Sequence, residues 1–140
     1  MKEMAGSVSG SLDANVILRL ILRDVPKLSD AAFDLISKGH HFHVADIAVI
    51  ETVFALERYY DVPRLEITEI IQSLANNPKI NLNRAIFEEA LAVYPRFPKL
   101  SFEDCCLAGY AKLNGALPLW TFDEKLSKQL NSTTKLIKLN

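Results

Sequence analysis

The chain is short of cysteine, of glycine and of any surplus of charge, and each shortage excludes something. Among 140 residues there are two cysteines, Cys105 and Cys106, adjacent in a stretch that reads as helix. Neighbours on a helix point about 100° apart, so these two are poorly placed to bond to each other. A reduced, cytoplasmic chain is the expectation. The five glycines (Gly6, Gly10, Gly39, Gly109, Gly115) are scattered and never form a phosphate cradle. No P-loop, dinucleotide loop, paired zinc cysteines or serine nucleophile elbow occurs, which removes most cofactor enzymes. Sixteen Lys and Arg stand against seventeen Asp and Glu, a formal charge of −1. That excludes a uniformly basic nucleic-acid coat and leaves room for a local basic patch. The most apolar run, Val16 to Leu22, is broken by Arg19 and falls far short of the roughly 20 residues a membrane span needs. Residues 1–7 (MKEMAGS) lack the apolar stretch of a secretory leader.

What is present is the composition of an ordinary globular domain, with no repeat and no clear linker. A chain of this length buries roughly two thirds of its unfolded surface, enough for a core without staples. The expectation is one domain over 1–140, with its core at about 8–130. Short β-like runs alternate with helical periods. A weak strand at Val8 to Leu12 precedes a helix from about Asn15 to Asp24 that is apolar nearly all round, a mark of burial on both sides or of a subunit interface. Pro26 opens a second helix with a stripe at Leu28, Ala31, Ala32, Leu35 and Ile36, stopped by Gly39. His41 to Ala45 reads as a strand, and Asp46 as the N-cap of a third helix running to about Tyr60. Pro63 begins a fourth helix, Lys79 to Leu82 is β-like, Asn83 caps a fifth helix, and Ser101 caps a sixth that ends at Gly115. Leu117 to Trp120 reads as a buried strand, a short helix follows from about Phe122 to Leu130, and Thr134 to Leu139 reads as an edge strand. Strands separated by helices imply parallel β-α-β units, hence an α/β fold with a sheet covered on both faces.

Four acids fall in telling places. Asp13 ends the first strand, directly before a helix; Asp123 stands in the same position after the last core strand; Asp104 lies in the first turn of the sixth helix. In an open parallel sheet, strand C-termini and the following helix N-termini share one edge, where α/β proteins place their ligands. Glu51 sits at i+4 from Ile47 and i−3 from Phe54, along what reads as an apolar stripe. Plainer roles exist for each. Asp13 is also a helix N-cap; Asp104 is also the N3 residue of a capping box opened by Ser101; Asp123 is also a first-turn acid near Thr121, with Glu124 as box partner; Glu51 is also matched by a buried Arg partner. If the four converge, two carboxylates about 5 Å apart repel by roughly 3 kcal/mol at an effective dielectric near 20. A hard cation, Mg²⁺ or Mn²⁺, is the guest that all-oxygen ligands select. It would lower the pKa of a bound water and offset charge on a phosphoryl group, which is metal-assisted phosphodiester hydrolysis.

These segments resemble the PIN-domain ribonucleases, and among them the VapC-type toxins of bacterial toxin–antitoxin pairs. Leu12-Asp13-Ala14-Asn15-Val16 is similar to the family's opening Asp-x-Asn motif, and Ile50-Glu51-Thr52-Val53-Phe54 to its helix-borne Glu. Leu100-Ser101-Phe102-Glu103-Asp104-Cys105 is similar to the third acidic motif, and Trp120-Thr121-Phe122-Asp123-Glu124 to the fourth. The resemblance covers about residues 8 to 130. It implies a three-layer α/β/α sandwich with a central, mostly parallel sheet, and an acidic quartet of Asp13, Glu51, Asp104 and Asp123 that binds Mg²⁺ or Mn²⁺. It implies endoribonuclease activity through a metal-activated water, with Asn15 and Thr121 supporting the quartet. It also implies a homodimer and a cognate antitoxin protein that covers the active site. Two features depart from the family pattern: the first strand is more polar and contains Gly10, and Ala14 stands where a hydroxyl residue is frequent.

The remaining chemistry-bearing residues have ordinary roles. Arg19, Arg23, Arg96, Lys112, Lys125 and Lys128 read as solvated charge, and none stands out as an RNA contact. His41 and His43 share a strand face at i, i+2 without a third ligand, so a strand-edge or loop role is expected. Tyr59, Tyr60, Phe97 and Trp120 read as core or interface aromatics. The alternatives to a toxin are a PIN nuclease for RNA processing or structured DNA, and a non-catalytic PIN-like module that binds RNA or protein.

Overall fold

A computed structural model describes residues 7–140. Residues 1–6, most of the stretch considered above as a leader, lie outside the described residues. The backbone separates into two compact units that divide after Asn83.

The first unit contains β1 (Val8–Ser11), α1 (Ala14–Leu22), α2 (Pro26–Lys38), β2 (His41–His43), α3 (Asp46–Tyr60), α4 (Arg64–Asn76) and β3 (Ile80–Asn81). Its strands form one parallel sheet in the order β1-β2-β3. The polar first strand is exposed along its length, and its glycine has a separate cause. The β1–β2 register slips between Val8 and Gly10, and Gly10 takes φ +141 there, a conformation open to glycine and strained for other residues. Phe42, Val44 and Ile80 in and beside the sheet, and Ile17, Val49 and Ile67 on the helices, are all buried.

Helix α2 buries Ser29, Ala32 and Ile36, so the buried side is rotated from the expected stripe. Leu28 and Leu35 are half exposed and line a groove of about 340 Å³ with Val16 and Arg19 of α1. This answers the question raised by the all-round apolar first helix: Ile17 and Leu18 are buried, and its other apolar residues are only partly covered. The end of α2 is held by Lys79, whose ammonium donates to the carbonyls of Ile36 (3.0 Å), Ser37 (2.9 Å) and Gly39 (3.1 Å). Three donors meet three carbonyls at the negative end of a helix, so the group is fully satisfied. Lys79→Met is therefore expected to cost about 1–2 kcal/mol, read as a lower urea midpoint with an unchanged m-value.

The second unit contains α5 (Arg84–Val93), α6 (Phe102–Leu113), β4 (Leu119–Thr121), α7 (Glu124–Gln129) and β5 (Thr134–Leu136). β4 and β5 pair in parallel, with Trp120 opposite Lys135. Helices α5 and α6 pack closely because Gly109 has no side chain: a Cβ there would lie 3.0 Å from Ile86 Cδ1 and 3.2 Å from Glu89 Cβ. Phe87, Tyr94 and Phe102 fill the space beside that crossing, all buried. Every strand pair in both units is parallel, and the α/β class follows as expected.

Candidate metal-binding acids

Asp13 directly follows β1 and caps α1. Its backbone is extended (φ −86, ψ 173), and its Oδ1 accepts the Val16 N–H at 3.0 Å. One of the orphan amides of the helix is thereby satisfied. The second carboxylate oxygen makes no such bond. Asn15, in the first turn of α1, is exposed.

Asp123 repeats this arrangement between β4 and α7. It is the N-cap of α7 rather than a residue of its first turn, and its Oδ1 accepts the Leu126 N–H at 3.1 Å. Its own N–H donates to Thr121 Oγ1 at 2.9 Å. Thr121 thus fixes the backbone on which the Asp123 carboxylate stands. Asp104 sits at N3 of α6 in the capping box its sequence announces. Its N–H donates to Ser101 Oγ at 3.1 Å, and its Oδ2 accepts the Ser101 N–H at 3.4 Å. The plainer capping roles and the proposed acidic roles coexist: each aspartate spends one oxygen on a helix amide and keeps the other.

Glu51 corrects an expectation. It does share a face of α3 with Ile47 and Phe54, but that face is open, with Ile47 66% and Phe54 42% exposed and Glu51 itself exposed. The buried side of α3 is Ala48, Val49, Thr52, Val53 and Leu56. Glu51 is therefore a solvated carboxylate and needs no buried Arg partner. Asp46 is a second correction: Ala45 occupies the N-cap position of α3 without a side-chain bond, and Asp46, one residue inside, accepts from Asn83 Nδ2 at 3.2 Å. The histidines are a third. β2 is the central strand of its sheet, His41 is buried and His43 exposed, so the two do not share an environment. Cys105 and Cys106 are free thiols and both buried, in keeping with a packing role.

Among the described residues, none of Asp13, Glu51, Asp104 or Asp123 has a Lys or Arg within ion-pair distance. Several cations near them in sequence are engaged elsewhere. Arg19 donates to Asp24 (2.8 Å) and to the Tyr60 hydroxyl (3.1 Å); the Tyr60 bond, with help from Asp24, raises its pKa further. Arg23 lies over the Phe33 ring at 4.3 Å, and Lys112 pairs with Glu89 at 3.1 Å. The acids thus present uncompensated hard oxygen donors, two in each unit, the donor type that Mg²⁺ and Mn²⁺ prefer. Within neither unit do the described residues gather three His, Cys, Asp or Glu side chains around one point. No helix among the described residues is long and apolar enough to cross a membrane.

A sequence model of the PIN domain matches residues 11–129, a span that runs through the division after Asn83 and contains all four acids. Over 121 residues the chain is 26% identical to a VapC ribonuclease of Aquifex aeolicus (strain VF5), covering 84% of this chain and 89% of that protein.

Proposed function

The chain belongs to the PIN-domain family, whose fold is an α/β sandwich, and on that premise we propose that it is a divalent-metal-dependent endoribonuclease, the toxin of a toxin–antitoxin pair. The observation that carries this reading is the set of four carboxylates without basic partners, three of them fixed at helix N-termini with one oxygen free. Asp13 and Asp104 would be the principal ligands of Mg²⁺ or Mn²⁺, and Glu51 and Asp123 would complete the site, the whole chain acting as one PIN domain. A divalent ion held there supplies a Lewis acid for water and for the scissile phosphate. The protein's own part is positional. Amides of Val16, Ser101 and Leu126 each engage one oxygen of the three aspartates, which reduces the ordering that remains when a ligand arrives. Thr121 steadies Asp123 through its backbone, and Asn15 supports Asp13 from the first turn of α1. One acid orients the attacking water or takes its proton. The likeness to a VapC ribonuclease supports RNA as substrate and a cognate antitoxin as protein partner; a homodimer as the working form and the cytoplasm as its place belong to the same proposal.

The test is incubation of purified protein, freed of any co-purifying antitoxin, with labelled tRNA and ribosomal RNA. Discrete fragments are expected with Mn²⁺ or Mg²⁺ and none with EDTA. Fragments that persist in EDTA would refute metal dependence, and intact RNA with a well-folded protein would refute the nuclease reading.

A further inference from the structure

Residues 120–140 combine two features that the acidic quartet does not use. Trp120 on β4 is 58% exposed and Phe122 66% exposed, although both lie beside a strand where aromatics normally find cover. The segment 125–140 contains four lysines (Lys125, Lys128, Lys135, Lys138) and no acidic residue, in a chain whose formal charge is −1. All four lysines are exposed, and none is in an ion pair among the described residues. The parallel register brings the two features together: Trp120 is paired with Lys135, whose ammonium lies 5.9 Å from the ring centroid.

We propose that Trp120 and Lys135 form a stacking site for an unpaired base of single-stranded RNA, with the four lysines tracking its phosphates. A flat ring open to solvent, with a cation beside it, is the pairing that single-stranded nucleic acids select; every base has a π-face, and every nucleotide carries a charge for an ammonium. A purely apolar protein partner would gain from the indole and be penalised by desolvating unpaired lysines. Strand alternation places Trp120 and Thr121 on opposite faces of β4. The Thr121 side anchors Asp123, while the Trp120 side remains free for a ligand. A base can lie on the Trp120 ring only when it is unpaired and out of a duplex stack. The site therefore selects single-stranded segments, such as loops, over duplex. This inference rests on the RNA-cleaving reading for its choice of ligand.

The chain holds one tryptophan, so its fluorescence reports on position 120 alone. Oligouridylate is titrated into the full-length protein in EDTA, where cleavage is off, and a fluorescein-labelled copy is followed by anisotropy. Saturable quenching of the indole is expected. Trp120→Ala should weaken binding about tenfold or more, and Trp120→Phe should retain most of it. Lys135→Gln should weaken binding severalfold and lower the slope of log affinity against log salt by about 0.7. Unquenched fluorescence on binding, an unchanged Trp120→Ala affinity, equal quenching by duplex RNA, or no binding by the folded chain would each overturn the proposal. The cleavage assay on the same preparation separates the two readings. Metal-dependent cleavage with an indifferent tryptophan removes the stacking site and leaves the nuclease. Quenching without cleavage does the reverse.

Discussion

Asp104→Asn is expected to lower divalent-dependent RNA cleavage by about 100-fold or more while leaving the protein folded. The two effects separate because the carboxylate has two jobs on different atoms. Its Oδ2 accepts the Ser101 N–H, and an asparagine amide oxygen can do the same. The reciprocal bond from the Asp104 backbone to Ser101 Oγ does not involve the side chain at all. What asparagine removes is the charge and with it an anionic ligand. Loss of a residue that merely supports a metal ligand commonly costs 10–100-fold, so loss of a ligand should cost at least that. Initial rates in Mn²⁺, with Mn²⁺ affinity by calorimetry and a thermal melt alongside, decide the matter. A variant that melts normally and cleaves at the wild-type rate would remove Asp104 from the site.

Phe102→Ala should produce the largest loss of stability, about 3–5 kcal/mol. The ring is fully buried. It lies nearly parallel to Phe87 at 6.1 Å and edge-on to Tyr94 at 5.2 Å, and such aromatic pairs add about 0.5–1.5 kcal/mol beyond area burial. Against a typical total of about 5–15 kcal/mol, this is a large fraction. Phe102 is also the first residue of α6, one position after the Ser101 cap, so the same ring that fills the core seats the turn carrying Asp104. A urea titration followed by far-UV circular dichroism should show a much lower midpoint, with Phe102→Leu in between. A shift equivalent to less than about 1 kcal/mol would mean that the ring is not an organising element of this unit.

The helices, and the starts of α2 and α6, were legible because their signals are local. Pro26, Ser101 and the alternation of apolar residues at helical spacing are chemical features of a few neighbouring residues, and α2 and α6 start where those features place them. The capping roles of Asp13 and Asp104 were legible for the same reason, whereas Asp123, expected in the first turn of its helix, is the N-cap. Burial was harder to read, because it depends on what packs opposite. α3 is apolar on more than one side, and composition alone could not say that Ala48, Val49, Thr52 and Val53 face inward while Ile47, Glu51 and Phe54 face out. The buried stripe of α2 was misplaced by about one position for a similar reason: Ser29, a small hydroxyl that donates to the Arg19 carbonyl at 2.8 Å, is buried where leucine would be guessed. The exposure of Trp120 was hidden in the same way, since a tryptophan in an apolar run looks like core. The available signal was the acid-free lysine run that follows it.

The aspartates differ in how many masters each serves. At 13 and 123 the helix and the proposed chemistry want the same residue, because a short carboxylate is both a preferred N-cap and a hard ligand. Substitution there is constrained twice over: asparagine would keep the cap and lose the charge, whereas glutamate would keep the charge and lose the cap. At 104 the two demands part. A capping box is best closed by the longer glutamate or glutamine, and the shorter aspartate reaches its amide only at 3.4 Å. Helix stability alone therefore favours glutamate or glutamine at 104, and the capping role by itself does not account for the aspartate found there.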